Sequence, residues 1–149
     1  MTRSGKRLRL CTALLACNLI FIWGNSLLPG AVSGAFSVWV KGSLEMLLPE
    51  GSLETASGVL LRKFAHFTEF ASLGLLLGWL FGMLRKGKIY PFLCGVMAAC
   101  VDETIQMFVP DRGPGIKDVC IDICGVATGM LILYLGHTYL RNKRTCGGK

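Results

Sequence analysis

Nine side chains carry the chemistry open to this chain: Lys63, His66 and Glu69, then Asp102, Glu103 and Gln106, then Arg112, Asp118 and Asp122. Imidazole beside carboxylates moves protons near neutral pH, and a pair of cations suits a phosphate. Their setting makes them informative. They sit in or beside segments otherwise apolar enough to span a membrane, where an ionisable group is costly unless it faces a partner or a wet cavity. Grouped this way, they point to a buried polar site. Glu103 and Asp122 lie deepest and are the candidate proton-transfer groups, with His66 as a further general acid or base. Lys63, Glu69, Asp102, Gln106, Arg112 and Asp118 are the candidate substrate-binding residues.

Helical phase supports one site. Each residue advances about 100° and 1.5 Å along a helix, so Lys63, His66 and Glu69 share an arc of about 120°, Asp102, Glu103 and Gln106 one of about 100°, and Asp118 and Asp122 one of about 40°. Gly74, Gly78, Gly95, Gly125 and Gly129 fall on the same sides, and Gly125-x-x-x-Gly129 is a close-packing pattern for helices in lipid. Cys120 and Cys124 point away from Asp118 and are removed as ligands. Depth agrees. Glu69 lies about 9 Å inside Lys63, Glu103 about 10 Å before Pro110 and Asp122 about 6 Å beyond Asp118. All three groups then fall in the outer half of the bilayer, in a pocket that opens outward beneath the Arg112 turn.

The elements that must position these residues are helices. The chain has 149 residues, of which 52% are hydrophobic, and a mean hydropathy of +0.54, which fits a small polytopic membrane protein. The expected fold is all-α: one transmembrane domain over residues 1–149, a four-helix bundle with spans near Leu8–Leu28, Phe64–Leu84, Ile89–Val109 and Val119–Leu140. A net charge of +7 raises nucleic acid as a partner. No basic face interleaved with aromatics is present, so nucleic acid is set aside.

Charge placement fixes the expected topology. Eleven of the 16 Lys and Arg residues fall into clusters at Arg3–Arg9, Arg85–Lys88 and Arg141–Lys149, which all nine acidic residues avoid. The positive-inside rule then places both termini and the 85–88 loop in the cytoplasm of a multi-pass cell-membrane protein. A basic start followed by an apolar run also describes a signal peptide, and Leu14–Cys17 and Ser33–Ala35 resemble cleavage sites. The run continues past Cys17 to spanning length, so an uncleaved first helix is expected.

Trp39, Leu44, Leu47 and Leu48 recur near helical spacing, which predicts a short interfacial helix that ends at Pro49–Ser52. Pro110–Gly115 reads as a tight turn. Six of the seven cysteines fall within the expected spans, which argues against a disulfide framework and for small apolar packing. No internal repeat or low-complexity stretch is present.

Two stretches resemble motifs of the VanZ-like membrane proteins. One is Lys63-Phe64-Ala65-His66-Phe67-Thr68-Glu69-Phe70-Ala71-Ser72-Leu73-Gly74. The other is Asp102-Glu103-Thr104-Ile105-Gln106-Met107-Phe108-Val109-Pro110-Asp111-Arg112, followed by Asp118, Gly125 and Gly129. Many relatives carry Asn where this chain has Asp122, and the added charge calls for a cation, a shared proton or a salt bridge with Lys63 or Arg112. The resemblance implies a bacterial cell-membrane protein with an envelope role. The family's name comes from a protein linked to low-level teicoplanin resistance, and the resemblance implies no settled reaction.

Four functions follow from these residues. The first is an enzyme at the outer leaflet acting on a lipid-linked or amphiphilic substrate, with Lys63 and Arg112 on an anionic head group. No Ser or Cys nucleophile motif is present, so covalent catalysis is not indicated. The second is a binder of membrane lipids, lipid-linked envelope precursors or an antibiotic. The third is a structural or assembly subunit whose polar network specifies helix packing. The fourth is transport, the least natural for four short spans. No cofactor is expected outright; a divalent metal at His66, Glu69, Glu103 and Asp122 is a variant of the first two.

Overall fold

The computed structural model describes residues 3–30, 32, 58–113 and 115–146. Within them the chain forms four helices: α1 (Arg3–Ser26), α2 (Gly58–Met83), α3 (Ile89–Gln106) and α4 (Ile116–Cys146). No strand occurs among the described residues. The interfacial helix expected around Trp39–Leu48 lies outside them.

Three helices contain a stretch long and apolar enough to cross a membrane: Ser4–Ser26, Leu60–Met83 and Ile116–Lys143. α3 differs from the expected third span. It stops at Gln106 rather than Val109, because residues 107–109 fold into tight turns in which Phe108 and Val109 donate to Ile105 and Gln106. At 18 residues α3 is about 27 Å long, close to the hydrocarbon thickness. Its last turns carry Asp102, Glu103 and Gln106 in place of apolar residues.

The helices alternate in direction. Cys11, Asn18 and Asn25 on α1 meet Leu76, Ser72 and Glu69 on α2, which run in the opposite order. Lys63 and Gly78 on α2 meet Asp118 and Leu133 on α4 in the same order. α2 and α3 occupy the middle, with α1 and α4 on either side.

Glycine sets the closest approach, between α2 and α4. A Cβ on Gly129 would overlap the Ala71 carbonyl, and one on Gly74 the Val126 carbonyl. One on Gly125 would press on the Phe67 carbonyl, and one on Gly95 of α3 on the Val126 side chain. Small residues let backbones meet where lipid offers no hydrophobic drive for association. Around this seam Ile22, Phe70, Leu73, Leu77, Ala98, Ala99 and Val126 form the buried core.

α2 ends in a Schellman motif. Lys86 donates to Phe81 and Arg85 to Gly82, which places Arg85 at φ 54. These bonds satisfy carbonyls that the helix end would otherwise orphan. Phe81 and Tyr90 then stack with centroids 6.5 Å apart across the α2–α3 turn.

The outer surface is apolar. Phe64, Met97, Ile20 and Tyr139 are each exposed by more than two thirds, with many other large hydrophobic residues. Such a continuous apolar girdle suits lipid as the surrounding solvent. The cysteines depart from the expected packing role. Cys11 alone is buried among the six of described exposure, while Cys17, Cys94, Cys100, Cys120 and Cys124 are exposed, and all six are free thiols. They replace apolar residues on the girdle rather than fill the core.

Candidate functional site

The polar residues gather where the end of α1, the start of α2, the end of α3 and the start of α4 meet. Asp102 lies at the centre, fully buried. Its Oδ1 accepts the Ser26 hydroxyl at 2.7 Å and its Oδ2 accepts the Gln106 amide at 2.8 Å. Gln106 lies one turn after Asp102, a spacing that puts both on one face. Its carbonyl oxygen in turn accepts Arg112 Nη1 at 3.4 Å.

Arg112 closes this end. Its Nε donates to the Leu28 carbonyl at 3.2 Å and its Nη2 to the Asn25 carbonyl at 3.0 Å. Asn25 lies in the last turn of α1 and Leu28 just beyond it, where carbonyls lack the usual helical partner. The guanidinium is buried, and burial, aided by the like charge of Arg62, pulls its pKa below the usual value. The backbone cooperates: Gly30 donates to Pro110 at 3.2 Å, and a Cβ on Gly30 would overlap the Asp111 carbonyl. Asp111 itself adopts φ 60, a left-handed conformation that Asp tolerates in turns.

Two further carboxylates are held at the rim of the cluster. Glu69 Oε1 accepts Asn25 Nδ2 at 3.0 Å. Glu103 Oε1 accepts the backbone N–H of Gly115 at 2.5 Å, just before α4 begins, where the helix dipole favours an anion. The second oxygens, Glu69 Oε2 and Glu103 Oε2, are buried and accept no hydrogen bond from the described residues.

On the α4 side, Lys63 Nζ donates to Asp118 Oδ1 at 2.8 Å, both side chains about one-third exposed. Behind this pair His66 Nδ1 stands 3.8 Å from Asp102 Oδ2 and 4.0 Å from Asp122 Oδ1. Both separations exceed hydrogen-bond length. His66, Asp102 and Asp122 are buried and bring three donor atoms within 4.8 Å of one another. A narrow cleft reaches them, lined by Arg62, Lys63, His66, Gln106, Asp118, Ile121 and Asp122. Its volume is ≈ 10 Å³, about the space one water occupies.

Residues 10–137, which include every residue of the cluster, match the family model described as VanZ/LLP1. The chain belongs to the VanZ/LLP1 family. Neither the curated proteins nor the solved structures searched contain a match to it. This VanZ-like chain is a helical membrane protein whose fold brings the polar residues of both motif stretches, 63–74 and 102–112, together at one end of the bundle.

Within that end, the nine residues singled out from the sequence divide into groups. His66, Asp102 and Asp122 form the inner trio, and Lys63 pairs with Asp118 at the mouth. Gln106 and Arg112 brace Asp102 from the far side. Glu69 and Glu103 make separate contacts and offer no donor atom to the inner trio. Three participants were not legible beforehand: Asn25, Ser26 and the Gly115 N–H. Asn18, Asn25 and Ser26 were visible as polar residues within an apolar run. Seven-residue spacing puts Asn18 and Asn25 on one helix face, a pattern from which the contact with Ser72 and Glu69 of α2 could have been read.

Proposed function

We propose that this protein engages the anionic head group of a membrane-embedded amphiphile, such as a lipid-linked envelope precursor, at the mouth of the cleft between α2 and α4. One observation carries this reading. Arg62 and Lys63 line a cleft whose floor is the buried His66 and Asp122, at the level where α2 and α4 begin. Two adjacent cations attract phosphate, and long basic side chains reach the membrane interface naturally. The cleft is too narrow to admit a head group whole. The ligand rests at its mouth with its lipid tail along the apolar girdle, while a water or proton passes between His66 and the carboxylates. Arg112, whose donors go to carbonyls and Gln106, braces the site from behind rather than holding the ligand.

With basic clusters at the opposite end of the bundle, the positive-inside rule orients this mouth outward and both termini to the cytoplasm of a bacterial cell membrane. The family name then gives the phenotype to measure, low-level glycopeptide resistance. Lipid copurified with the wild type and lost from an Arg62→Ala, Lys63→Ala double variant of unchanged melting temperature is the expected result. Equal lipid in both proteins rejects head-group capture. Chemistry at the site predicts that Glu103→Gln and Asp122→Asn abolish any resistance while membrane expression persists.

A structural role is the second reading, favoured by the continuous chain Ser26–Asp102–Gln106–Arg112–Asn25–Glu69, which ties α1, α2, α3 and the following turn together. Its mark is the reverse pattern: loss of expression in these variants, with no lipid bound to the wild type.

A further inference from the structure

We propose that His66, Asp102 and Asp122 bind a divalent transition-metal cation, Zn²⁺ or Mn²⁺, at the floor of the cleft. The site is independent of whether an amphiphile binds at the mouth.

Geometry is the first argument. In a shell with metal–oxygen or metal–nitrogen bonds of about 2.0–2.2 Å, neighbouring donors lie roughly 3–3.6 Å apart. The observed 3.8 and 4.0 Å separations from His66 Nδ1 need to close by only a few tenths of an ångström. They are too long for direct hydrogen bonds. Three donors from three different helices converge, two of them carboxylate oxygens and one an imidazole nitrogen.

The second argument is an unmet demand. Asp122 is 1% exposed, and its Oδ1, the atom facing His66, accepts no hydrogen bond from the described residues. A buried carboxylate oxygen without a donor carries its full desolvation penalty. Neither cation offered by the sequence meets this demand. Lys63 donates to Asp118, and Arg112 donates to Gln106 and two carbonyls.

The charge balance has the right size. Glu69, Asp102, Glu103, Asp118 and Asp122 are five carboxylates, against Arg62, Lys63 and Arg112 as three permanent cations. With all five ionised, carboxylates outnumber cations by two, a difference that one divalent ion or two protons would balance.

The surroundings resemble those of a ligating carboxylate. Asp102 is fixed by Ser26 and Gln106, and Gln106 by Arg112, the kind of outer support that orients metal ligands. Three protein donors leave a coordination position open, and the ≈ 10 Å³ cleft beside them fits one water. Mixed imidazole and carboxylate donors suit Zn²⁺ or Mn²⁺ better than Ca²⁺, which takes six or more oxygens.

The test uses the full chain in detergent, with any affinity tag removed, stripped with EDTA and titrated separately with Zn²⁺ and Mn²⁺. The expected result is about one ion per chain by elemental analysis and a metal-dependent rise in melting temperature. Asp122→Asn and His66→Gln should weaken binding at least tenfold, whereas Glu69→Gln, outside the trio, should retain it. Loaded with Co²⁺, the wild type should show visible d–d bands that both trio variants lose. No stoichiometric ion and no thermal shift in the wild type would overturn the site and leave protons as the neutralising charge. Undiminished metal in the folded trio variants would overturn it too, by placing the ion elsewhere. If neither trio variant folds, the wild-type titration and the Co²⁺ spectrum still decide.

Discussion

The two halves of the α2–α4 seam are held by different physics. From Ala71 to Leu133, glycine brings backbone against backbone, and the contacts are apolar. From Lys63 to Asp122, the same two helices face each other through an ion pair, an imidazole and the buried Asp122 carboxylate. The first half resists change because there is no space to give. The second resists change only where a buried polar atom would lose its partner, and elsewhere it leaves polar atoms unpaired. The rigid half therefore holds the polar half in place, and unmet polar demand is concentrated where a ligand or ion can reach it.

The largest effect expected from this contrast lies in the apolar half. Gly129→Leu forces a side chain into the Ala71 backbone and should cost about 3 kcal/mol or more, read as lost folded protein in detergent. Gly82→Ala, with nothing within 4 Å of the new methyl, should leave the melting temperature nearly unchanged. A mild Gly129→Leu would break the contrast, since it would show that the seam can open.

Asp102→Ala comes next. It leaves the Ser26 hydroxyl and Gln106 amide buried without an acceptor, and each such group costs about 1–3 kcal/mol. Thermal unfolding should show a substantial loss, with a smaller one for Asp102→Asn, which keeps an acceptor oxygen.

Arg112→Lys should not rescue Arg112→Ala. A lysine ammonium cannot span the Leu28 and Asn25 carbonyls and the Gln106 oxygen as the guanidinium fork does. A loss of about 1–2 kcal/mol in both variants is expected. Full stability in Arg112→Lys would mean that charge, rather than the fork, closes this end.

The smallest effect on stability is expected for Lys63→Ala. The pair with Asp118 is about one-third exposed, and such pairs contribute about 1 kcal/mol or less. Its melting temperature should barely move and should depend on salt more than that of the other variants. A large loss would move Lys63 from the ligand-facing group to the structural one.

Much of the fold was legible because apolar run length and helical period are local properties. The runs around α1, α2 and α4 are long and apolar, and those helices contain the spanning stretches. α3 was harder to bound, since polar residues at its end shorten both its apolar stretch and its regular helix. The turn in which Arg112 donates to the Val109 carbonyl was legible from the neighbouring Pro and Gly residues, but the engagement of Arg112 with α1 was not. Those partners are backbone carbonyls of Asn25 and Leu28, and a carbonyl has no sequence signature.

The sequence by itself determined that the chain is helical, that its polar residues share faces with its glycines, and that two motif stretches identify its family. Helical phase fixes which residues of one helix stand together, and it says nothing about the neighbour's rotation or height. Only the tertiary structure decided that Asp102, rather than Glu69 or Glu103, joins His66 and Asp122. It also decided that Ser26 and Arg112 belong to the network around Asp102. The physical reason lies in the glycine contacts along α2, α3 and α4. They lock the helices at one rotation and one height, and that setting chooses which of five nearby carboxylates meet.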